Sequence, residues 1–143
     1  MAITIRAAQA SDSQEIALVS EHLGYTSLSP EESHANLIAL LDSPVDKVFV
    51  AQIGGRIVGW IHVFFARRLA SNSFYEIGGL VVLPDTRGQG VGRMLVQHAL
   101  AHQLGQYRVR CNESRKEAHT FYESIGFKRS KVQHVFGAVS DNK

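Results

Sequence analysis

A glycine-rich hexapeptide, Arg87-Gly88-Gln89-Gly90-Val91-Gly92, separates an extended apolar run, Gly79-Leu80-Val81-Val82-Leu83, from a helical one that begins near Val91. No other segment restricts the fold as much, because a strand must hand over to a helix through a turn whose glycines accept positive φ. Successive backbone N–H groups in such a turn converge on one anion, and the following helix adds the positive end of its dipole. A pyrophosphate fits that geometry; so does a plain helix-entry loop.

With 143 residues, 45% hydrophobic and 20% charged, the chain is long enough for one core and too short for two ordinary domains. A single domain over residues 1–143 is expected. The formal net charge of +2, with both signs interspersed, does not call for a nucleic-acid partner. Cys111 is the lone cysteine, which excludes an intrachain disulfide framework, and the start Met-Ala-Ile-Thr-Ile-Arg lacks a secretory signal's charged head and apolar run. A reducing, cytoplasmic setting is expected. No apolar stretch approaches the ~20 residues that cross a bilayer, so no membrane partner is expected either.

Ala2 to Ala7 reads as a strand, and Ser11 to Glu15 offers capping side chains for a helix over about Asp12 to His22 with Ile16, Val19 and Leu23 at helical spacing. Ser29-Pro30-Glu31-Glu32 opens a second helix, with Ser29 as cap, Pro30 in the first turn and Glu32 reaching back. Val48 to Ile53 and Arg56 to Phe65 are β-branched and aromatic runs joined by Gly54-Gly55, which predicts an antiparallel hairpin. Phe74 to Leu83 is the next strand, and its Gly78-Gly79 pair predicts a bulge or the close approach of another backbone. Val91 to Leu104 is predicted as a helix ended by Gly105, Tyr107 to Cys111 as a short strand, and Ser114-Arg115-Lys116-Glu117 as a capping box. The last helix carries Ala118, Phe121, Tyr122 and Ile125, and Phe127 to Phe136 is predicted to close the sheet as a final strand. The order βααβββαβαβ implies an α+β fold whose mixed, mostly antiparallel sheet has helices on both faces.

Downstream of the glycine turn, Phe121-Tyr122-Glu123-Ser124-Ile125-Gly126-Phe127 reads as a helix end, a glycine cap and an extended exit. Together the two segments resemble the GNAT superfamily of acetyl-CoA-dependent N-acetyltransferases. Arg87, Gly90 and Gly92 match its pyrophosphate motif Gln/Arg-x-x-Gly-x-Gly/Ala, and Tyr122, Gly126 and Phe127 match its Tyr-x-x-x-Gly-Phe/Tyr motif. The resemblance extends over nearly the whole chain. It implies acetyl-CoA as co-substrate with no metal, the pantetheine arm along the backbone of Leu80, Val81 and Val82, and the pyrophosphate over Arg87, Gly88, Gln89, Gly90, Val91, Gly92 and Arg93. Many members bond the pantetheine through an asparagine seven residues before the tyrosine. Here that position is Arg115, and Asn112, ten before, is the candidate instead.

Amide formation from a thioester needs an unprotonated amine, a polarised carbonyl and a proton for the departing thiolate. Glu76 is the candidate base: its strand is otherwise free of charge, and an apolar setting suits the task. The resemblance adds that histone-acetyltransferase members place their glutamate eleven residues before the Gln/Arg, the spacing from Glu76 to Arg87. A glutamate on the solvent face of an edge strand is the plainer reading. Tyr122 is the candidate acid, since family members protonate the thiolate with this hydroxyl; packing beside Phe121 also accounts for it. His62 and His134, both expected on strands, are alternative bases.

Arg115 and Lys116 either reach a CoA phosphate or form a solvated helix start. His98 and His102 stand four apart on one helix but lack the glutamate of a zinc-protease pattern and an evident third ligand, so they read as surface or boundary residues. Cys111 has no partner base in sequence and reads as a small packed residue.

An N-acetyltransferase acting by direct attack of a primary amine is therefore expected, the competing class being an acyl-CoA-binding or regulatory module without turnover. Amino sugars, aminoglycosides, polyamines, amino acids and protein amines all fit as acceptors. Gly24 to Leu28 is expected to border the acceptor cleft. A homodimer is expected to cover the open sheet's edges.

Overall fold

The computed structural model describes residues 2–24 and 28–141, which form two compact units, Met1–Arg110 and Cys111–Lys143. The first unit contains the strands β1 (Ile3–Ala7), β2 (Asp46–Ile53), β3 (Arg56–Ala66), β4 (Phe74–Val82) and β5 (Tyr107–Val109), and the helices α1 (Ser13–Ser20), α2 (Pro30–Asp42) and α3 (Val91–His102). Short 3-10 turns at Ala10–Asp12 and Glu21–Leu23 extend α1 at both ends, so the helical stretch matches the one its capping residues predict. At the start of α2 the capping box forms: the Glu32 amide donates to Ser29 Oγ at 3.1 Å, and the Ser29 amide to Glu32 Oε1 at 2.9 Å.

The sheet order is β1-β2-β3-β4-β5. The first three pairings are antiparallel, and β4–β5 is parallel across the α3 crossover. Gly54 and Gly55, at φ 58° and 79°, form the turn between β2 and β3, where positive φ at both central residues matches the twist of a tight hairpin. Helices cover both faces, as the element order implies. Val48 and Val50 of β2 and Val81 of β4 pack with Val19 of α1 and Leu37 of α2. On the opposite face, α3 buries Val91, Leu95, Val96 and Ala99, and its His98 and His102 meet the Phe49 ring edge-on at 4.7 and 5.1 Å between centroids. His98 is half-buried and His102 exposed, in line with the surface or boundary reading.

In the second unit, α4 (Lys116–Ser124) does not start with the predicted capping box. Its cap residue is Arg115, without a side-chain cap, and the Ser114 hydroxyl instead donates to Asn112 Oδ1 at 2.8 Å, as does the Ser114 amide at 3.0 Å. An Asx turn has captured the serine before it can cap. The predicted glycine stop is present: Gly126 has φ 102°, and the Phe127 amide closes onto the Tyr122 carbonyl at 3.0 Å.

The predicted strand from Phe127 to Phe136 is not formed. The described residues after Phe127 have no strand or helix, and Val132, Val135 and Phe136 are 73%, 88% and 92% exposed. Phe127, Val132, Val135 and Phe136 do not repeat with period two, so no single face of a strand collects them. His134 therefore sits on exposed chain rather than on a strand.

Candidate active site

The pairing of β4 creates an opening in the sheet. On one side it pairs with β3 from Phe74 to Val82, and on the other β5 reaches only from Tyr75 to Ile77. From Gly78 to Val82 that second side of β4 has no ladder partner among the described residues, leaving backbone donors and acceptors for a ligand. Leu80 and Val82 are half-buried and Val81 is buried, so only their main-chain groups are offered. The glycine turn lies directly beyond. Gly88 and Gly90 adopt φ 83° and 82°, and a β-carbon built on either would meet nothing within 4 Å. Gly90 caps α3 without a side-chain bond, and the first turn holds no acidic residue. The helix's own ladder begins with the Met94 amide bonded to the Gly90 carbonyl at 2.9 Å, so the amides of Val91, Gly92 and Arg93 point out of the helix end. Arg87, Gly88 and Gln89 are exposed beside them. The cradle suits a pyrophosphate in charge and in shape.

Glu76 is neither a solvated edge residue nor a carboxylate among apolar neighbours, which corrects the setting expected for it. It is 5% exposed, and Arg108 Nε and Nη2 donate to its Oε1 at 3.0 and 2.6 Å. Arg110 Nε donates to Oε2 at 3.0 Å, with Nη2 at 2.9 Å from the same oxygen. The Arg108 guanidinium also lies 4.1 Å above the Phe74 ring. These bonds occupy the lone pairs that an incoming proton would need. Arg108 and Arg110 stand two apart at the end of β5, a spacing that puts both on one face. Sequence reasoning missed them although that signal was present.

The Gly78-Gly79 bulge forms where predicted, since the β3–β4 register shifts between His62, opposite Gly79, and Val63, opposite Ile77. What approaches closely there is side chain rather than backbone. A β-carbon at Gly78 would lie 2.8 Å from His62 Nδ1, and one at Gly79 would lie 2.9 Å from the Trp60 ring. The two glycines thus make room for His62 and Trp60 of β3. Trp60 is fixed by a 3.0 Å bond from its Nε1 to Ser20 Oγ. His62 Nε2 lies 2.6 Å from Asp46 Oδ1. Burial alone would raise the Asp46 carboxyl, but hydrogen bonds from Ser43 and His62 outweigh it and hold the group below its usual value. Asp46 went unread in the sequence, because only the β2–β3 register brings it to His62. Trp60 and His62 form the floor of a cavity of about 280 Å³ walled by α1 and α2 residues including Ile16, Leu37 and Leu40. Of the segment expected to border an acceptor cleft, Leu28 lines this cavity; Tyr25, Thr26 and Ser27 lie outside the described residues.

In the second unit, Tyr122 meets Phe121 and Phe127 edge-on at 5.0 and 5.5 Å between centroids. Burial first, then the charge of Cys111, pushes its phenol well above the ordinary value against the opposing pull of Arg115, so the hydroxyl stays protonated at working pH. Burial likewise raises the Cys111 thiol, in keeping with a packing residue. Asn112 is exposed, with its carboxamide oxygen engaged in the Asx turn. Among the described residues no His, Cys, Asp or Glu cluster could hold a metal ion, and no helix is long and apolar enough to cross a membrane.

A family model for the acetyltransferase (GNAT) domain matches residues 44–129. Over 63 residues the chain is 47% identical to a peptidyl-lysine N-acetyltransferase of Salmonella typhimurium, covering 42% of this chain and 43% of that one. It therefore spans under half the length of that relative. Among solved structures, a putative acetyltransferase from Agrobacterium tumefaciens superposes with TM-score 0.84 at 26% identity, over 94% of this chain and 99% of the other. AAC(6')-Iy in complex with the bisubstrate analog CoA-S-monomethyl-acetylneamine superposes with TM-score 0.87 at 14% identity, over 98% and 100%, a likeness of fold alone. With its open β4, its glycine cradle and the family match over residues 44–129, the chain belongs to the GNAT acetyltransferase family.

Proposed function

We propose that this chain transfers the acetyl group of acetyl-CoA to a primary amine by direct attack, with both substrates bound together. The observation that carries the reading is the unladdered side of β4 running from Gly78 to Val82 straight into the open glycine turn. An extended pantetheine would bond the main chain of Leu80, Val81 and Val82, while its pyrophosphate would take the amides from Gly88 to Arg93 and the Arg87 guanidinium. Tyr122 takes the role that the family motif assigns to its tyrosine, protonation of the thiolate, and Asn112, ten rather than seven residues before it, is the candidate for pantetheine contact in place of the motif's asparagine. The acceptor ammonium gives one proton to a base and attacks the acetyl carbon as R-NH2; the new C–N bond forms as C–S breaks. Tyr122 protonates the sulfur and is made good by the second nitrogen proton, so the net products are amide, CoA-SH and one proton.

The test is free-thiol release from acetyl-CoA across a panel of amines, followed by initial-velocity kinetics with the best acceptor. Direct attack gives intersecting double-reciprocal lines. Parallel lines would indicate an acetylated enzyme and overturn the mechanism. Acetyl-CoA binding without thiol release to any amine would favour an acyl-CoA-binding module instead.

A further inference from the structure

Resting on the acetyltransferase reading, the geometry points to His62, held by Asp46, as the base for an acceptor that carries a single primary ammonium on an apolar stem and sits in the cavity floored by Trp60 and His62. Three observations converge on this. First, Asp46 Oδ1 lies 2.6 Å from His62 Nε2. With Nε2 carrying the proton toward the carboxylate, Nδ1 is left as an acceptor, the arrangement by which a carboxylate orients a histidine base. Second, Nδ1 faces Gly78, where a β-carbon would stand only 2.8 Å away, and Gly78 is where the unladdered side of β4 begins. The ring therefore lies between the acceptor cavity and the strand assigned to the thioester. Third, Glu76, the candidate base on β4, is held by both Arg108 and Arg110 and has no lone pair left for the amine's proton.

The cavity's lining decides the class of acceptor. Ile16, Leu23, Leu28, Leu37, Leu40 and Trp60 supply its apolar surface. The described lining residues include no Asp, Glu, Lys or Arg; their polar groups are those of Ser20, Ser33, Asn36 and His62. A polyamine or aminoglycoside would bring several ammonium groups to a surface with no carboxylate to pair them, a desolvation cost without return. One ammonium on a hydrocarbon stem buries the stem against Leu37, Leu40 and Trp60 and presents its nitrogen to His62. At about 280 Å³ the cavity is small even among small-molecule sites. A free arylalkylamine and the four-carbon stem of a lysine side chain share this chemistry.

The experiment compares kcat/KM of the wild type for phenethylamine, a lysine-containing apolar peptide, spermidine and kanamycin, and then examines His62→Ala and Asp46→Asn with the best acceptor. Phenethylamine or the peptide is expected to exceed spermidine and kanamycin by about tenfold or more, and which of the two leads identifies the source of the amine. His62→Ala lowers kcat by roughly 10²-fold with the acetyl-CoA KM unchanged, and added imidazole restores at least part of the loss. Asp46→Asn lowers kcat about tenfold without imidazole rescue, as befits a positioning residue. Preference for spermidine or kanamycin would overturn the acceptor class. Unchanged kcat in folded His62→Ala, or a loss that imidazole does not touch, would overturn the base. Either result leaves acetyl transfer standing, whereas no thiol release with any of the four amines would remove that reading and this inference with it.

Discussion

Asp12 is 5% exposed and accepts from Arg6 Nη1 and Nη2 at 2.8 Å each and from the Gln9 amide at 2.7 Å. The Arg6 bonds chiefly, with the Gln9 amide, hold its carboxyl below 3.8 against the opposing effect of burial. A depressed carboxyl stabilises the fold above its unfolded value, and the contribution is lost as the pH falls through the folded one. Asp12→Asn should therefore cost about 2 kcal/mol at pH 7 and less at pH 2, below the unfolded value. Urea titrations of both proteins at the two pH values check this, and an equal gap at both would count against it. Glu76 is a second buried carboxylate, and unlike Asp12 it has two arginine partners. Glu76→Gln leaves Arg108 and Arg110 around a neutral amide and should cost about 3 kcal/mol. With both carboxylate oxygens held by the arginines, the loss in the variant is one of stability and turnover should not recover as pH rises; recovery, which follows when more acceptor is already neutral, would instead mark Glu76 as the base.

Among the elements, α3 carries two separable tasks. Its first turn offers free amides, and its C-terminal end anchors β5 through the Tyr107 hydroxyl, whose single proton is shared between the carbonyls of Gln103 at 2.6 Å and Ala99 at 2.9 Å. Burial, with Tyr75 adding, pushes the Tyr107 phenol up to about 12 from 10.0. A raised phenol holds its proton in the fold after the unfolded chain has lost it, so stability is intact below pH 10 and falls as the pH climbs toward 12. Tyr107→Phe should flatten that alkaline loss in denaturation midpoints measured from pH 8 to 11. At the other end, an acid in the first turn favours the helix dipole. Gly92→Glu should leave α3 folded, as judged by circular dichroism, while weakening acetyl-CoA binding about a hundredfold or more by placing a like charge in the cradle. Full affinity in the folded variant would remove the pyrophosphate assignment.

For the molecule as a whole, ligation is read as stability. A ligand that binds the native state alone adds about 2.7 kcal/mol at a hundredfold excess over Kd, so acetyl-CoA should raise Tm by several degrees. No shift at millimolar acetyl-CoA would contradict the co-substrate. We also propose a homodimer, supported by the exposed Val132, Val135, Phe136 and Val139 on chain without a ladder partner. Sedimentation at micromolar concentration that finds only the 15.8 kDa species would exclude it.

Local chemistry made much of this legible in the sequence. The Ser29–Glu32 box, the Gly54-Gly55 hairpin, the Gly78-Gly79 bulge and the Gly90 helix entry each depend on a few adjacent residues whose backbone preferences are intrinsic. The element order carried the α+β class, because a strand–helix–strand crossover admits few arrangements. Tertiary structure alone decided who stands beside whom. Asp46 and His62 are 16 residues apart, and Glu76 and Arg108 are 32 apart, so each pair exists only through strand register, and a carboxylate's setting is made by partners that no local pattern names. For the same reason the segment after Phe127 departs from its local preference: its β-branched and aromatic residues favour a strand, but a strand needs a partner edge and one apolar face to bury, and neither is supplied by propensity.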